Sequence, residues 1–166
     1  MSLAIGCDPE LFLRNREGEF ISAHGLVPGT KKKPYPLTHG AVQLDGTAAE
    51  FNIVPARSEF EWMKHIGKTL DELELLITDK DDSVWLSMEP VAHFDPKYFR
   101  SLPPHCKRLG CDPDFNAYTG EVNVPPRIKE PVRTAAGHLH IGWTEGEDPH
   151  DVTHMSDCTA VVKQLD

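Results

Sequence analysis

The chain has 166 residues, 39% hydrophobic and 26% charged, which fits one globular domain spanning 1–166. A formal net charge of −9 leaves no basic stripe for a phosphate backbone, so nucleic acid is not an expected partner. No stretch has the apolar length of a membrane span and the N-terminus lacks a signal-peptide pattern, so a cytoplasmic location without membrane contact is expected.

Residues 4–13 begin apolar and carry Asp8-Pro9-Glu10 before Leu11-Phe12-Leu13, reading as one strand. Glu17-Gly18 turns it into a second strand near Phe20-Ile21-Ser22. Residues 24–40, rich in Gly, Pro, Lys and His, read as a long loop of the kind that often carries function. Within it Lys31-Lys32-Lys33 reads as a solvated cluster, with a nucleotide-phosphate contact as the sharper alternative. Two strands follow, 41–44 and 48–54, joined at Asp45-Gly46, a hairpin signal.

The spacing predicts a helix over 58–77. Ser58 with Glu61 makes a capping box, and Phe60, Met63, Ile66, Leu70, Leu73 and Ile77 recur at helical intervals. A strand over 84–91, a short helix over 96–102 and a proline-dense loop over 103–131 come next. Residues 134–143 are small, apolar and glycine-bounded, which predicts a buried strand. From Pro149 a final helix runs to Asp166, with Val152, Met155, Thr159, Val162 and Leu165 along one side.

Cys7, Cys106, Cys111 and Cys158 contain no CxxC pair, so reduced thiols are expected. Cys106 and Cys111 with His154 and Cys158 could supply zinc ligands, but their spacing is far from a zinc module. Free buried thiols are the stronger expectation.

The chemistry concentrates on three segments. Residues two apart on a strand share a face, so His138 and His140 project together. Asp8 and Glu10 do the same, and Glu50 and Asn52 alternate against Phe51 and Ile53. Singly, each pair suits the solvated side of an antiparallel sheet. Brought together on a buried face, these acids and imidazoles would repel and desolvate one another unless cations sat among them. A carboxylate-rich set suits Mg²⁺ or Mn²⁺.

The run Ile5-Gly6-Cys7-Asp8-Pro9-Glu10-Leu11-Phe12 is similar to the Gly-x-Glu-x-Glu strand that opens glutamate–cysteine ligases. Glu50-Phe51-Asn52-Ile53-Val54-Pro55 resembles their second acidic strand, and Gly137-His138-Leu139-His140-Ile141-Gly142 resembles the Gly-x-His-x-His segment of the glutamine synthetase-like superfamily. Over nearly its whole length the chain most closely resembles the phage-associated type 2 COOH–NH2 (carboxylate–amine) ligases. Two departures stand out: Asp8 replaces the usual Glu, and Pro9 needs a position whose N–H is unpaired, as on an edge or at a bulge.

The resemblance implies an α+β fold with an antiparallel sheet of the glutamine synthetase-like type and helices on one face. It implies an ATP-dependent ligase that joins a small-molecule or peptide carboxylate to an amine through an acyl phosphate. Asp8, Glu10, Glu50 and His138 would hold divalent metal, and His140 would contact phosphate. Arg133, expected on the histidine strand as a partner for phosphate or carboxylate, and His140 would be the catalytic residues, and both would bind the nucleotide together with Asn52; Gln43 and Asp45 are weaker candidates. Family members continue past the final helix with strands that supply another metal-binding acid and an arginine. The resemblance therefore implies a C-terminally incomplete catalytic domain, with an exposed sheet edge that invites self-association. Two other readings stay open: a non-catalytic metal- or nucleotide-binding remnant, and a metal-dependent hydrolase.

Overall fold

The computed structural model describes residues 3–108, 115–124, 131–143, 148 and 150–165. It is a mixed α/β fold with a curled antiparallel sheet and, among the described residues, three α-helices. The first strand expected from sequence is two, β1 (Ala4–Cys7) and β2 (Glu10–Arg14), interrupted at Asp8-Pro9. Proline has no ladder donor, and here it contributes through its carbonyl, which accepts from the Phe51 N–H at 3.2 Å.

β3 (Phe20–Ile21) is followed by a loop that contains a further short strand, β4 (Tyr35–Leu37). β5 (Gly40–Asp45) and β6 (Ala48–Ile53) form the expected hairpin, with Gly46 at φ +56° in its turn, where a glycine carries no steric cost. The sheet order is β3-β2-β6-β5-β4. β6 pairs with the start of β2, whereas β7 (Trp85–Ser87) pairs with its end. The expected strand over 84–91 therefore splits into β7 and β8 (Val91–His93), because residues 88–90 end in Pro90 and break the ladder.

Helix α1 (Glu59–Thr78) starts where the capping box places it. The Ser58 hydroxyl accepts from the Glu61 N–H at 3.2 Å, and the Glu61 carboxylate accepts from the Arg57 N–H at 2.8 Å. Its buried stripe is Thr69, Leu73 and Ile77, with Trp62, Ile66 and Leu70 packed alongside. Phe60 and Met63, expected on that stripe, are exposed. The stripe rests on Leu11, Leu13, Val42, Ala49 and Phe51, the residues that alternate toward one face of β2, β5 and β6.

Phe12 and Ala48 alternate to the opposite face. There they meet Phe20, Phe94, and Phe99 from α2 (Pro96–Ser101), with Cys106 from the 3₁₀ turn Pro104–Lys107. The helices thus pack on both faces rather than on one as the sequence suggested. α3 (Val152–Leu165) has no buried residue, and its Val152, Met155, Val162 and Leu165 are exposed. No helix among the described residues is long and apolar enough to cross a membrane. Pro149, expected to open α3, lies outside the described residues.

Candidate functional site

The three chemistry-bearing segments come together. Glu10 of β2 stands opposite Glu50 of β6, and Glu50 stands opposite Gln43 of β5, making one polar row across three strands. Asp45 lies two residues beyond Gln43 and so shares that face. The intervening Leu11, Ala49 and Val42 point to the α1 core, so strand alternation alone separates the acids from the apolar packing. Both Glu50 and Asp45 are buried, at 7% and 6% exposure.

Such proximity makes the row electrostatically tense. Burial raises Glu10 to about 7; a hydrogen bond and charge from Asp45 and the charge of Glu50 add to this, against a backbone N–H from Ala136. Burial also raises Glu50, although the Gln43 amide donates to its Oε2 at 2.7 Å and Lys31 opposes the rise. Lys31 pairs with Asp45 at 3.1 Å, so this member of the basic cluster turns into the acidic row.

The histidine segment borders the row. β10 (Leu139–Gly142) pairs with β1, placing His140 opposite Gly6. His138 precedes the strand: its N–H donates to Asp8 Oδ1 at 2.9 Å, and its carbonyl accepts from the Asp8 N–H at 3.3 Å. Asp8 also receives both imidazoles, Nδ1 of His138 at 3.1 Å and Nε2 of His140 at 3.2 Å. Gly137 lets this segment lie close, since a Cβ there would meet Pro9 Cα at 3.0 Å. The strand is not buried as its sequence suggested: the side chains of His138 and His140 are 46% and 65% exposed. Apolar flanks signal a core strand only when both faces are covered, and here Leu139 is exposed too.

Arg133 departs from expectation. It lies on β9 (Val132–Thr134), which pairs with β8 and not with β10. Its guanidinium stacks over Phe99 at 4.5 Å and donates to the carbonyls of Val132 and Lys107. The side chain nonetheless lines a small cavity with Glu10 and Asp45, at the end of the acidic row. Asn52 shares the face of Glu50 one pair further along, opposite Ala41. Gln43 and Asp45, the weaker candidates in the sequence, are integral to the row.

Among the described residues, the three-donor His/Cys/Asp/Glu group whose atoms lie within 4.8 Å of one another is His24, His105 and Cys106, and the acids of the row line one face without closing to that spacing. Glu10, Asp45 and Glu50, with Asp8 at the border, offer several carboxylate oxygens, and Gln43 offers an amide carbonyl if its group rotates. The expected thiols stand as free Cys7 and Cys106, both buried, and half-buried Cys158; Cys111 lies outside the described residues. Cys158 meets His154 at 3.5 Å within α3, while Cys106 lies beside His24 and His105. No protein-family model, curated protein or solved structure matches this chain.

Proposed function

We propose that this chain is an ATP-dependent carboxylate–amine ligase, or a fragment of one, built on a glutamine synthetase-like sheet. The observation that carries this reading is the direct pairing of Glu10 with Glu50 across β2 and β6, with Asp45 beside them and the Asp8–His138–His140 contacts at the border. These residues come from the three segments that carry the resemblance. A surface of ordinary solvated acids would not raise Glu10 to about 7 by burial.

Glu10, Glu50, Asp45 and Asp8 would hold Mg²⁺ or Mn²⁺ through carboxylate oxygens. Such a metal would offset charge on the phosphates of ATP; transfer of the γ-phosphoryl group to a substrate carboxylate would give an acyl phosphate and ADP, and attack of an amine on the acyl carbon would form the amide and release phosphate. The protein's own work is positional. Asp8 orients His138 and His140 by accepting from both rings, which fixes the face each imidazole presents. An exposed His140 suits a phosphate contact at the mouth. Gln43 steadies the Glu50 carboxylate, so that its free oxygen has a defined direction. Arg133 would serve from the far end of the row as a cation for phosphate or carboxylate.

An acyl phosphate is trapped by hydroxylamine as a hydroxamate, whichever carboxylate is used. The full chain, incubated with Mg²⁺, ATP, hydroxylamine and a mixture of amino acids, is expected to form hydroxamate and ADP together. Glu10→Ala should reduce both to background. ATP turnover at the same rate without any carboxylate would favour the hydrolase reading instead. ATP binding with no turnover at all would favour the non-catalytic one.

A further inference from the structure

The proposed acidic row does not use His24, His105 or Cys106. His24 follows β3, whereas His105 and Cys106 lie in the 3₁₀ turn Pro104–Lys107, 81 residues further along the chain from His24 to His105. The fold brings their donor atoms within 4.8 Å of one another. We infer that His24, His105 and Cys106 form a zinc site, distinct from the carboxylate row, with its remaining coordination position open to the adjoining cleft.

The geometry suits the ion. His105 Nε2 lies 3.4 Å from His24 Nδ1, with the rings edge to face and their centroids 4.9 Å apart. Two imidazole nitrogens bound tetrahedrally to zinc at roughly 2.0–2.1 Å stand about 3.3–3.4 Å from each other. A thiolate at about 2.3 Å from the ion completes a three-donor set after only small side-chain movements from the present separations. Two imidazoles with a sulfur select a borderline or soft ion and disfavour Mg²⁺, the reverse of the preference of the acidic row.

The surroundings hold the donors in place. The Ser22 N–H donates to Tyr98 Oη at 2.9 Å, tying the chain before His24 to α2. The Ser22 hydroxyl accepts from the His24 N–H at 3.2 Å and also bonds with the Cys106 thiol. Cys106 itself is fully buried, and its N–H donates to the Pro103 carbonyl at 3.1 Å. Such outer contacts orient ligands before the ion arrives.

Both imidazoles also line an open cleft of about 620 Å³, whose wall includes Lys31, Asp45 and Arg108. Three protein ligands with access to solvent is the arrangement of zinc sites that take an exogenous fourth ligand, whereas purely structural sites close with a fourth protein donor. The cleft opens to solvent beside both imidazoles, so the fourth ligand is water or a small exogenous donor.

Cobalt reports the site without any assay of activity. The metal-free full chain, titrated with Co²⁺, is expected to bind one equivalent with thiolate-to-cobalt charge-transfer absorption and tetrahedral visible bands, both removed by added Zn²⁺. His24→Gln changes an exposed side chain and should weaken binding by at least about 100-fold, more than the loss of an outer-shell partner. Cys106→Ser should abolish the charge-transfer band; if this buried substitution prevents folding, His24→Gln decides the matter. Glu50→Gln should leave the cobalt spectrum intact, which separates this site from the ligase reading. Cobalt bound without a thiolate band, affinity unchanged in His24→Gln, or a spectrum lost in Glu50→Gln would each overturn the inference.

Discussion

Glu10→Gln is expected to make the metal-free protein more stable at about pH 8 and to leave its stability near pH 5 unchanged. The sign follows from burial. Glu10 sits at about 7 in the folded chain against its ordinary value of 4.5, so the folded state binds the extra proton between those values. Stability from this group is therefore full below about 4.5 and is lost as pH rises through about 7. Because the carboxyl is only partly buried, the loss in wild type is discounted to on the order of 1–2 kcal/mol. Glutamine carries no charge to desolvate, so the variant should show a shallower profile across the same range, with the contribution of Glu50 remaining.

Magnesium should act in the opposite direction. A cation on Glu10 and Glu50 stabilises wild type by about 1.4 kcal/mol for each tenfold excess over its Kd, and this gain should vanish in Glu10→Gln. Urea unfolding at the two pH values, with and without Mg²⁺, measures both effects. If the variant were less stable at the higher pH, Glu10 would be a structural acceptor for the Ala136 N–H and not a strained acid.

Phe12→Ala should carry the largest cost in stability, about 3–5 kcal/mol, out of a total of roughly 5–15 kcal/mol for a domain of ordinary stability. Phe12 is 1% exposed and meets the edges of Phe20 and Phe94 at centroid distances of 5.8 and 6.0 Å. Phe94 in turn packs on Phe99 at 5.6 Å, so the ring of Phe12 joins β2 to α2. Its removal leaves a cavity that these neighbours cannot close without moving the strand. Denaturant unfolding should show a lower midpoint with an unchanged slope. A loss below about 1 kcal/mol would mean that this aromatic cluster is loosely packed.

Local chemistry made part of this fold legible. Ser58 and Glu61 fixed the start of α1 because a cap bonds to residues adjacent in sequence. Asp45-Gly46 located the β5–β6 hairpin for the same reason. The polar residues at Asp8, Glu10 and Glu50 were readable from alternation, but their pairing was not. Register between β2 and β6 joins residues 40 positions apart and is set by which face Leu11, Ala49 and Phe51 bury against α1.

The misreadings have a common cause. Sequence alternation tells which residues share a face, not whether anything covers it. The 134–143 segment reads as buried, yet among the described residues β10 has only β1 as a strand neighbour and leaves His140 exposed. Arg133 is expected on the histidine strand, but Ala135 to His138 lie outside both strands and separate them. His24 and His105 gave no periodic signal at all; only tertiary folding places them together. Cys106 stands free and buried, as expected, and its nearness to His24 and His105 is set by loops that chain spacing does not describe.

Calorimetric titration of ATP into the full chain, with and without Mg²⁺, tests the central claim most directly, alongside the same titration of Glu50→Gln. Wild type should bind ATP only when the divalent ion is present, and Glu50→Gln, with its fold intact by circular dichroism, should lose that binding. Equal ATP binding without any divalent ion, or Mg²⁺–ATP binding unchanged in Glu50→Gln, would contradict a nucleotide site built on the acidic row.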